Sequence, residues 1–112
     1  MNVASILREK GNTIISVLPS TALMELVATI ASRRIGAVLV LDKAGRLAGI
    51  VSERDVVKAL AAKGPELHAV NAGDVMTRDV TTVGPATTIN EAMDLMDRGY
   101  FRHLPVIDHG AL

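Results

Sequence analysis

The sequence contains no cysteine and no tryptophan, and its 112 residues include a single tyrosine, Tyr100, and a single phenylalanine, Phe101. Without cysteine there is no disulfide framework, thiolate nucleophile, thiolate metal site or thiol redox switch. With almost no aromatic rings, the core has to be aliphatic. Net charge is lacking as well: 12 Lys and Arg offset 12 Asp and Glu. Binding a phosphate backbone or an anionic membrane takes a clustered cationic surplus, so neither nucleic acid nor a membrane is expected as a partner. The densest apolar stretch, Leu23 to Ala31, carries Glu25 and Thr29 and falls short of the roughly 18–20 residues of a spanning helix. The first eight residues show no basic segment leading into an apolar run, and a cytoplasmic protein is expected. Hydrophobic residues make up 49% of the chain, enough for a small core in a chain that buries about 60–65% of its unfolded surface.

A repeat organises this material. An offset of 66 residues lays Val17 on Val83, Pro19 on Pro85, Thr21 on Thr87, Glu25 on Glu91, Val40 on Val106 and Asp42 on Asp108. The apolar pattern agrees as well: Ile14 falls on Val80, Leu23 on Ile89, Val27 on Met93, Ile30 on Met96, Val38 on Leu104 and Leu41 on Ile107. Agreement in both identity and pattern over a fixed offset marks an internal duplication.

Each copy carries the same order of local signals. Thr13–Val17 and Val80–Val83 are short, β-branched and followed by proline, which predicts a strand ending in a turn. A helix follows. Leu23, Leu26, Val27 and Ile30, and again Ile89, Ala92, Met93 and Met96, recur at helical spacing, the methionines serving as core filler. Thr88 and Glu91 have capping-box spacing, and Thr21 is expected to serve the first copy less ideally. Next come the apolar runs Ala37–Leu41 and Leu104–Ile107, which suit strands covered on both faces, each closed by Asp and a glycine-containing turn. The first copy continues through a partner strand, Arg46 to Ser52, and a helix from Glu53 to Ala62 stopped by Lys63-Gly64-Pro65. Asp74-Val75-Met76, in a link that resembles the opening Val3–Leu7, is expected to form a short docking turn.

The second copy stops after its third element. The expected division is a first repeat over residues 1–70 and a partial second repeat over 71–112 that lacks its last strand and helix. A full second copy needs about 20–30 further residues, a strand and a helix of average length, so Leu112 is not expected to be the natural terminus. An incomplete repeat leaves the stripe of Ile89, Met93 and Met96 and the strand Leu104–Ile107 partly uncovered. Uncovered apolar faces and strand edges recruit partners, and a homodimer is expected.

This β-α-β-β-α order, the period, the segment Gly49-Ile50-Val51-Ser52-Glu53-Arg54-Asp55, the Asp74-Val75-Met76-Thr77 opening and the Arg102-His103-Leu104-Pro105-Val106 strand entry resemble the cystathionine β-synthase (CBS) domain family. The resemblance implies an α/β fold of tandem repeats paired by pseudo-two-fold symmetry through their sheets, often called a Bateman module. It also implies a regulatory role in sensing adenosine-containing ligands: AMP, ADP, ATP, S-adenosylmethionine or an NAD-type dinucleotide. No cofactor is required. By the same resemblance the ligand lies between the repeats, with Ile50, Ser52 and Asp55 facing Val80, Thr81, Phe101, Arg102 and His103. Phe101 or its neighbours would cover the base, and Arg102 or His103 would reach phosphate. Arg54, with Arg33 and Arg34, is either a further phosphate contact or part of a solvated helix end. A mirror pocket, built on Ile14, Ile15 and Ile35–Ala37, finds no Ser and Asp partners in the second copy.

The residues themselves give a reason to look at Ser52 and Asp55. Ser52-x-x-Asp55 falls at a strand-to-helix junction, where free N–H groups and the positive helix end favour an electron-rich ligand atom. A carboxylate there can accept from the vicinal hydroxyls of a ribose, the role that the resemblance implies for Asp55. It can equally cap the helix by reaching back to the Ser52 N–H. Catalysis finds no foothold: His68, His103 and His109 show no ligand pairing, no phosphate-binding GxxxxGK[ST] loop is present, and Asp94 and Asp97 fall on the polar side of a helix. Two readings stay open, a nucleotide-responsive regulatory module that transmits occupancy to oligomer packing or a partner protein, and an oligomerisation or interaction module with a silent pocket.

Overall fold

The computed structural model describes residues 2–4, 15–99 and 103–107, with the backbone alone for 97–99. Two compact units divide the chain, Ile15–Asp79 and a second made from Val80 onward together with the N-terminal residues.

In the first unit a three-stranded sheet has the order β1 (Ser16–Val17), β2 (Ala37–Leu41), β3 (Leu47–Ser52). β1 runs parallel to β2, with Val17 opposite Val40, and β2 runs antiparallel to β3, with Val38 opposite Val51. The first strand is shorter than the run Thr13–Val17 suggests, and Thr13 and Ile14 lie outside the described residues. Helix α1 (Leu23–Arg33) connects β1 to β2, and α2 (Glu53–Lys63) follows β3. A 3-10 helix over Gly64–Ala69 and a single turn, α3 (Ala72–Val75), complete the unit. Leu23 and Leu26 of α1 are fully buried against Val40 and Val51, with Val38, Ala59, Val70 and Ala72 closing the cluster. This is the all-aliphatic core that the composition requires. Among the described residues no helix is long and apolar enough to cross a membrane.

The helix ends follow local chemistry. α1 has Ala22 at its N-cap and no side-chain cap. Thr21 does not fill that role: its hydroxyl accepts from the Leu18 N–H at 3.1 Å, closing the preceding turn. Instead the Leu23 N–H donates to the Val70 carbonyl at 2.9 Å, so a distant chain segment satisfies a donor that a cap would otherwise serve. α1 ends on Arg34 at φ 54°, a left-handed conformation without glycine's freedom. α2 ends on Gly64 at φ 52°, before Pro65, as its stop signal predicts.

The hairpin between β2 and β3 turns on Asp42. Its Oδ1 accepts from the Ala44 and Arg46 N–H groups, both at 2.9 Å, and its Oδ2 from Arg46 Nε at 3.3 Å. The Arg46 main-chain bond, helped by the Ala44 N–H and the guanidinium, holds the Asp42 carboxyl below the ordinary 3.8.

The second unit repeats these devices at the same offset of 66 residues. Gly84 N–H donates to the Thr87 hydroxyl at 3.0 Å, as Leu18 N–H does to Thr21. Helix α4 (Ile89–Gly99) carries the cap that α1 lacks: Glu91 N–H donates to the Thr88 hydroxyl at 3.1 Å, and the Thr88 hydroxyl to Glu91 Oε1 at 2.9 Å. Val83 bridges Val106 in parallel, the register of Val17 on Val40. The strand expected over Val80–Val83 does not extend beyond that bridge, and neither does its partner over Leu104–Ile107. Proline is the cause. In the first copy the Leu39 N–H donates to the Ile15 carbonyl at 3.3 Å; the equivalent donor to the Thr81 carbonyl would be the nitrogen of Pro105, which carries no hydrogen.

The links between repeats are crossed. Ala72 N–H and Gly73 N–H donate to the carbonyls of Thr21 and Pro19 at 2.8 and 2.9 Å, so the segment that precedes the second repeat docks on the first. Correspondingly Val3 N–H and Ala4 N–H donate to the carbonyls of Thr87 and Pro85, both at 2.8 Å. Beyond α3 the chain crosses β3 over Gly49. A Cβ there would meet Met76 Sδ at 2.7 Å and the Thr77 carbonyl at 2.8 Å.

Three outcomes are expected. Gly49→Ala should destabilise the protein by about 2 kcal/mol through overpacking against a backbone carbonyl, seen as a lower urea midpoint. Arg34→Gly should relieve left-handed strain and raise stability by about 0.5–1 kcal/mol on the same assay. The Asp42 carboxyl, depressed when folded, stabilises the protein above its ordinary 3.8 and loses that contribution as pH falls through the folded value. Asp42→Asn should therefore flatten the acid limb of a stability-against-pH curve from about 3.8 down to the folded value and leave its slope at neutral pH unchanged.

Candidate functional site

The strand β3 and the helix α2 meet at Ser52, whose backbone is extended (φ −101°, ψ 168°) as an N-cap requires. The Asp55 N–H donates to the Ser52 hydroxyl at 3.3 Å, and the Ser52 N–H donates to Asp55 Oδ2 at 2.8 Å. The capping box that the Ser-x-x-Asp spacing predicts is therefore formed. The Ser52 hydroxyl also donates to Oδ2, at 3.1 Å. Ser52 and Asp55 are both half-buried. The Glu53 N–H, first of the helix, donates to the Gly36 carbonyl at 3.0 Å.

A further partner comes from far along the chain. The Thr77 hydroxyl donates to Asp55 Oδ1 at 3.2 Å across 22 residues. Thr77 is placed there by the main chain: its N–H donates to the Ile50 carbonyl at 2.8 Å and its carbonyl accepts from the Ile50 N–H at 3.0 Å. Both backbone groups of Ile50 are thus engaged, and Ile50 has only its half-buried side chain to offer a ligand. Sequence reasoning assigned Thr77 no contact with Asp55. The available signal was Gly49, since glycine inside a strand often marks close approach by another backbone.

Among the described residues Asp55 therefore holds three donors, two on Oδ2 and one on Oδ1, against the four lone-pair positions of a carboxylate. These leave one acceptor position on Oδ1. The positive end of α2 adds a favourable field for a ligand oxygen nearby. Arg54, exposed in the first turn of the same helix, has partners of its own.

The other residues read from the sequence belong to the second unit or fall outside the description. Val80 and Thr81 are half-buried and His103 is exposed. Phe101 and Arg102 lie outside the described residues. An open cleft of about 500 Å³ in the first unit is lined by Lys63, Glu66, Ala69, Val70 and Asp74, none of them among those site residues. Among the described residues no group of three or more His, Asp and Glu side chains could hold a metal ion.

Comparison with known proteins matches this architecture. The CBS domain family model matches residues 3–62 and again residues 72–112. The CBS domain-containing protein CBSCBSPB5 of Arabidopsis thaliana is 36% identical over 96 residues, covering 86% of this chain and 18% of its own length. The chain thus spans less than a fifth of the first curated relatives it matches. The crystal structure of the CBS-domain containing protein ATU1752 from Agrobacterium tumefaciens is 35% identical with a TM-score of 0.96, covering 99% of this chain and 83% of that one. The CBS domain pair of MJ0100, solved in complex with 5′-methylthioadenosine and S-adenosyl-L-methionine, shares the fold at 24% identity and a TM-score of 0.85, covering 97% and 85% of the two chains. The duplication in sequence, the shared turns and parallel register in both units, and two separate matches to one family model have a common explanation: the chain belongs to the CBS-domain family.

Proposed function

We propose that the protein is a regulatory module that binds an adenosine-containing ligand, and that Asp55 holds the ribose. The observation that carries this reading is the open acceptor position on a carboxylate already fixed in place by Ser52 and Thr77. A fixed carboxylate presents its remaining lone pairs without further loss of rotamer freedom, the condition under which a charge-assisted bond to a hydroxyl is strong. The helix start behind it favours an electron-rich group on the same ligand.

The contacts that family resemblance assigns to Val80, Phe101, Arg102 and His103 belong to the same proposal, with AMP, ADP, ATP, S-adenosylmethionine and NAD-type dinucleotides as candidates. MJ0100's complex with two adenosine derivatives is consistent with that class. Occupancy would then act through homodimer packing or a partner protein. The competing reading, an oligomerisation module with a silent pocket, draws on the exposed Val57 and Leu60 of α2 and Met93 of α4. The two readings differ in what a ligand does to stability.

A ligand bound only to the native state at a hundredfold excess over its Kd stabilises by about 2.7 kcal/mol, which for a chain of this size raises the melting temperature on the order of 10 °C. At least one member of a panel of AMP, ADP, ATP, NAD and S-adenosylmethionine should produce such a rise. Asp55→Ala should lower the unliganded stability by about 1 kcal/mol through loss of the cap and abolish most of the ligand-dependent rise measured from its own baseline. No shift with any of the five at millimolar concentration would sink the reading, and an equal shift with GMP would reduce the site to a phosphate contact without base recognition.

A further inference from the structure

The three bonds on Asp55 are not equivalent. The two on Oδ2 come from Ser52, three residues away, and form part of the cap that starts α2. Giving them up would uncap the helix. The bond on Oδ1 comes from Thr77, whose side chain stands at an exposed position, and its length of 3.2 Å is well beyond the 2.5–2.7 Å usual for a hydroxyl on a carboxylate. Unlike the two part-buried bonds of the cap, it is open to water.

A ribose brings two vicinal hydroxyls, and the described residues leave Oδ1 one open position. Two donors cannot both be accepted while Thr77 keeps its place, because the cap fills Oδ2. The threonine hydroxyl can leave without loss of backbone structure: Thr77 is held by its paired main chain to Ile50, at 2.8 and 3.0 Å, and rotation about χ1 carries only the hydroxyl and methyl away. Once turned, the hydroxyl can bond to water or accept from the ligand.

We propose that the Thr77 hydroxyl occupies the place of a ribose hydroxyl on Asp55 Oδ1 in the unliganded protein, and that a cis-diol ligand must displace it. Thr77 is then an affinity-setting residue, a built-in competitor tethered to the segment that leaves the first repeat. The inference rests on the ribose reading of Asp55. Its signature is selective: removing the competitor strengthens binding of a ligand that carries the diol and does nothing for one that lacks it.

The test is calorimetric titration of the wild type, Thr77→Val, Thr77→Ser and the Asp55→Ala/Thr77→Val pair. The probes are AMP, ADP, ATP, NAD and S-adenosylmethionine, with the 2′,3′-dideoxy form of the nucleotide that binds as the diol-free control, 2′,3′-dideoxy-AMP where AMP binds. Valine keeps the branched shape and the main-chain pairing, and an unchanged circular dichroism spectrum with a cooperative urea transition, its midpoint lowered by no more than one lost hydrogen bond accounts for, would show the fold intact. Thr77→Val should bind the diol probes about two- to tenfold more tightly, the range set by the net worth of one hydrogen bond. Thr77→Ser should match the wild type, and the diol-free control should bind wild type and Thr77→Val equally. Without Asp55 there is nothing to compete for, so the Thr77→Val change should have no effect in the Asp55→Ala background. If the wild type binds the probes and Thr77→Val binds them equally or less well, the competitor role is overturned while the ribose reading stands. If none of AMP, ADP, ATP, NAD and S-adenosylmethionine binds the wild type, the ribose reading falls and this inference falls with it.

Discussion

The crossing of residues 76–77 over Gly49 is the constraint on which the local structure depends. The backbone passes so close to β3 that no Cβ fits between Gly49 and the Thr77 carbonyl. That proximity allows Thr77 and Ile50 to exchange both main-chain hydrogen bonds, which places a threonine hydroxyl against Asp55. The same segment, a few residues earlier, supplies the Val70 carbonyl to the uncapped start of α1 and closes over the loop at Pro19 and Thr21. Seven or eight residues thus tie together the start of one helix, the outer strand of the sheet and the carboxylate at the start of the next helix. None of these ties uses a charge pair. Apart from the Thr77 hydroxyl on Asp55, they consist of backbone hydrogen bonds and close packing, whose geometry admits few alternatives.

Much of this was legible in the sequence, for identifiable reasons. The helices α1 and α2 carry apolar spacing and stop signals, and Ala37–Leu41 and Leu47–Ser52 are apolar runs joined by a turn rich in local hydrogen bonds to Asp42. Such signals are local and survive without tertiary information. The offset of 66 residues also held at atomic detail: the same turn hydroxyl and the same parallel pair recur in both units. Misreadings arose where one residue changed what a pattern could do. Val80–Val83 has the composition of a strand, yet Pro105 removes a rung from its only described partner. Thr21 stands one residue before the cap position, but Ala22 occupies the position aligned with Thr88, and the Thr21 hydroxyl is spent on the turn. The Thr77 to Asp55 bond was beyond reach because it spans 22 residues and depends on a chain crossing that periodicity does not encode.

At the candidate site the sequence supported two uses of Asp55; the structure shows the cap, and the ribose contact is the proposal made above. Capping consumes Oδ2, and among the described residues Oδ1 faces one exposed hydroxyl. A carboxylate that also caps is dear to replace: loss of the side chain weakens the helix before any ligand is considered. This couples the integrity of α2 to the chemistry at its first turn. It also explains why an aspartate, with its short reach, stands at the third helical position, since it can close the cap and still keep one oxygen toward the incoming segment from Thr77.

The crossed links have a consequence for how such a chain can be inherited. Each unit is finished by the few residues that precede the other repeat, 70–77 on the first and 2–4 on the second. A gene cut at the apparent joint near residue 70 would part β3 from the strap that covers it, so neither product would carry a whole folding unit. Recombination that exchanges one half for a foreign half must carry the neighbouring strap along or supply an equivalent one. Descent is thereby biased toward keeping the two halves together, and the asymmetries between them, a proline here and a missing cap there, can accumulate inside a partnership that is hard to dissolve.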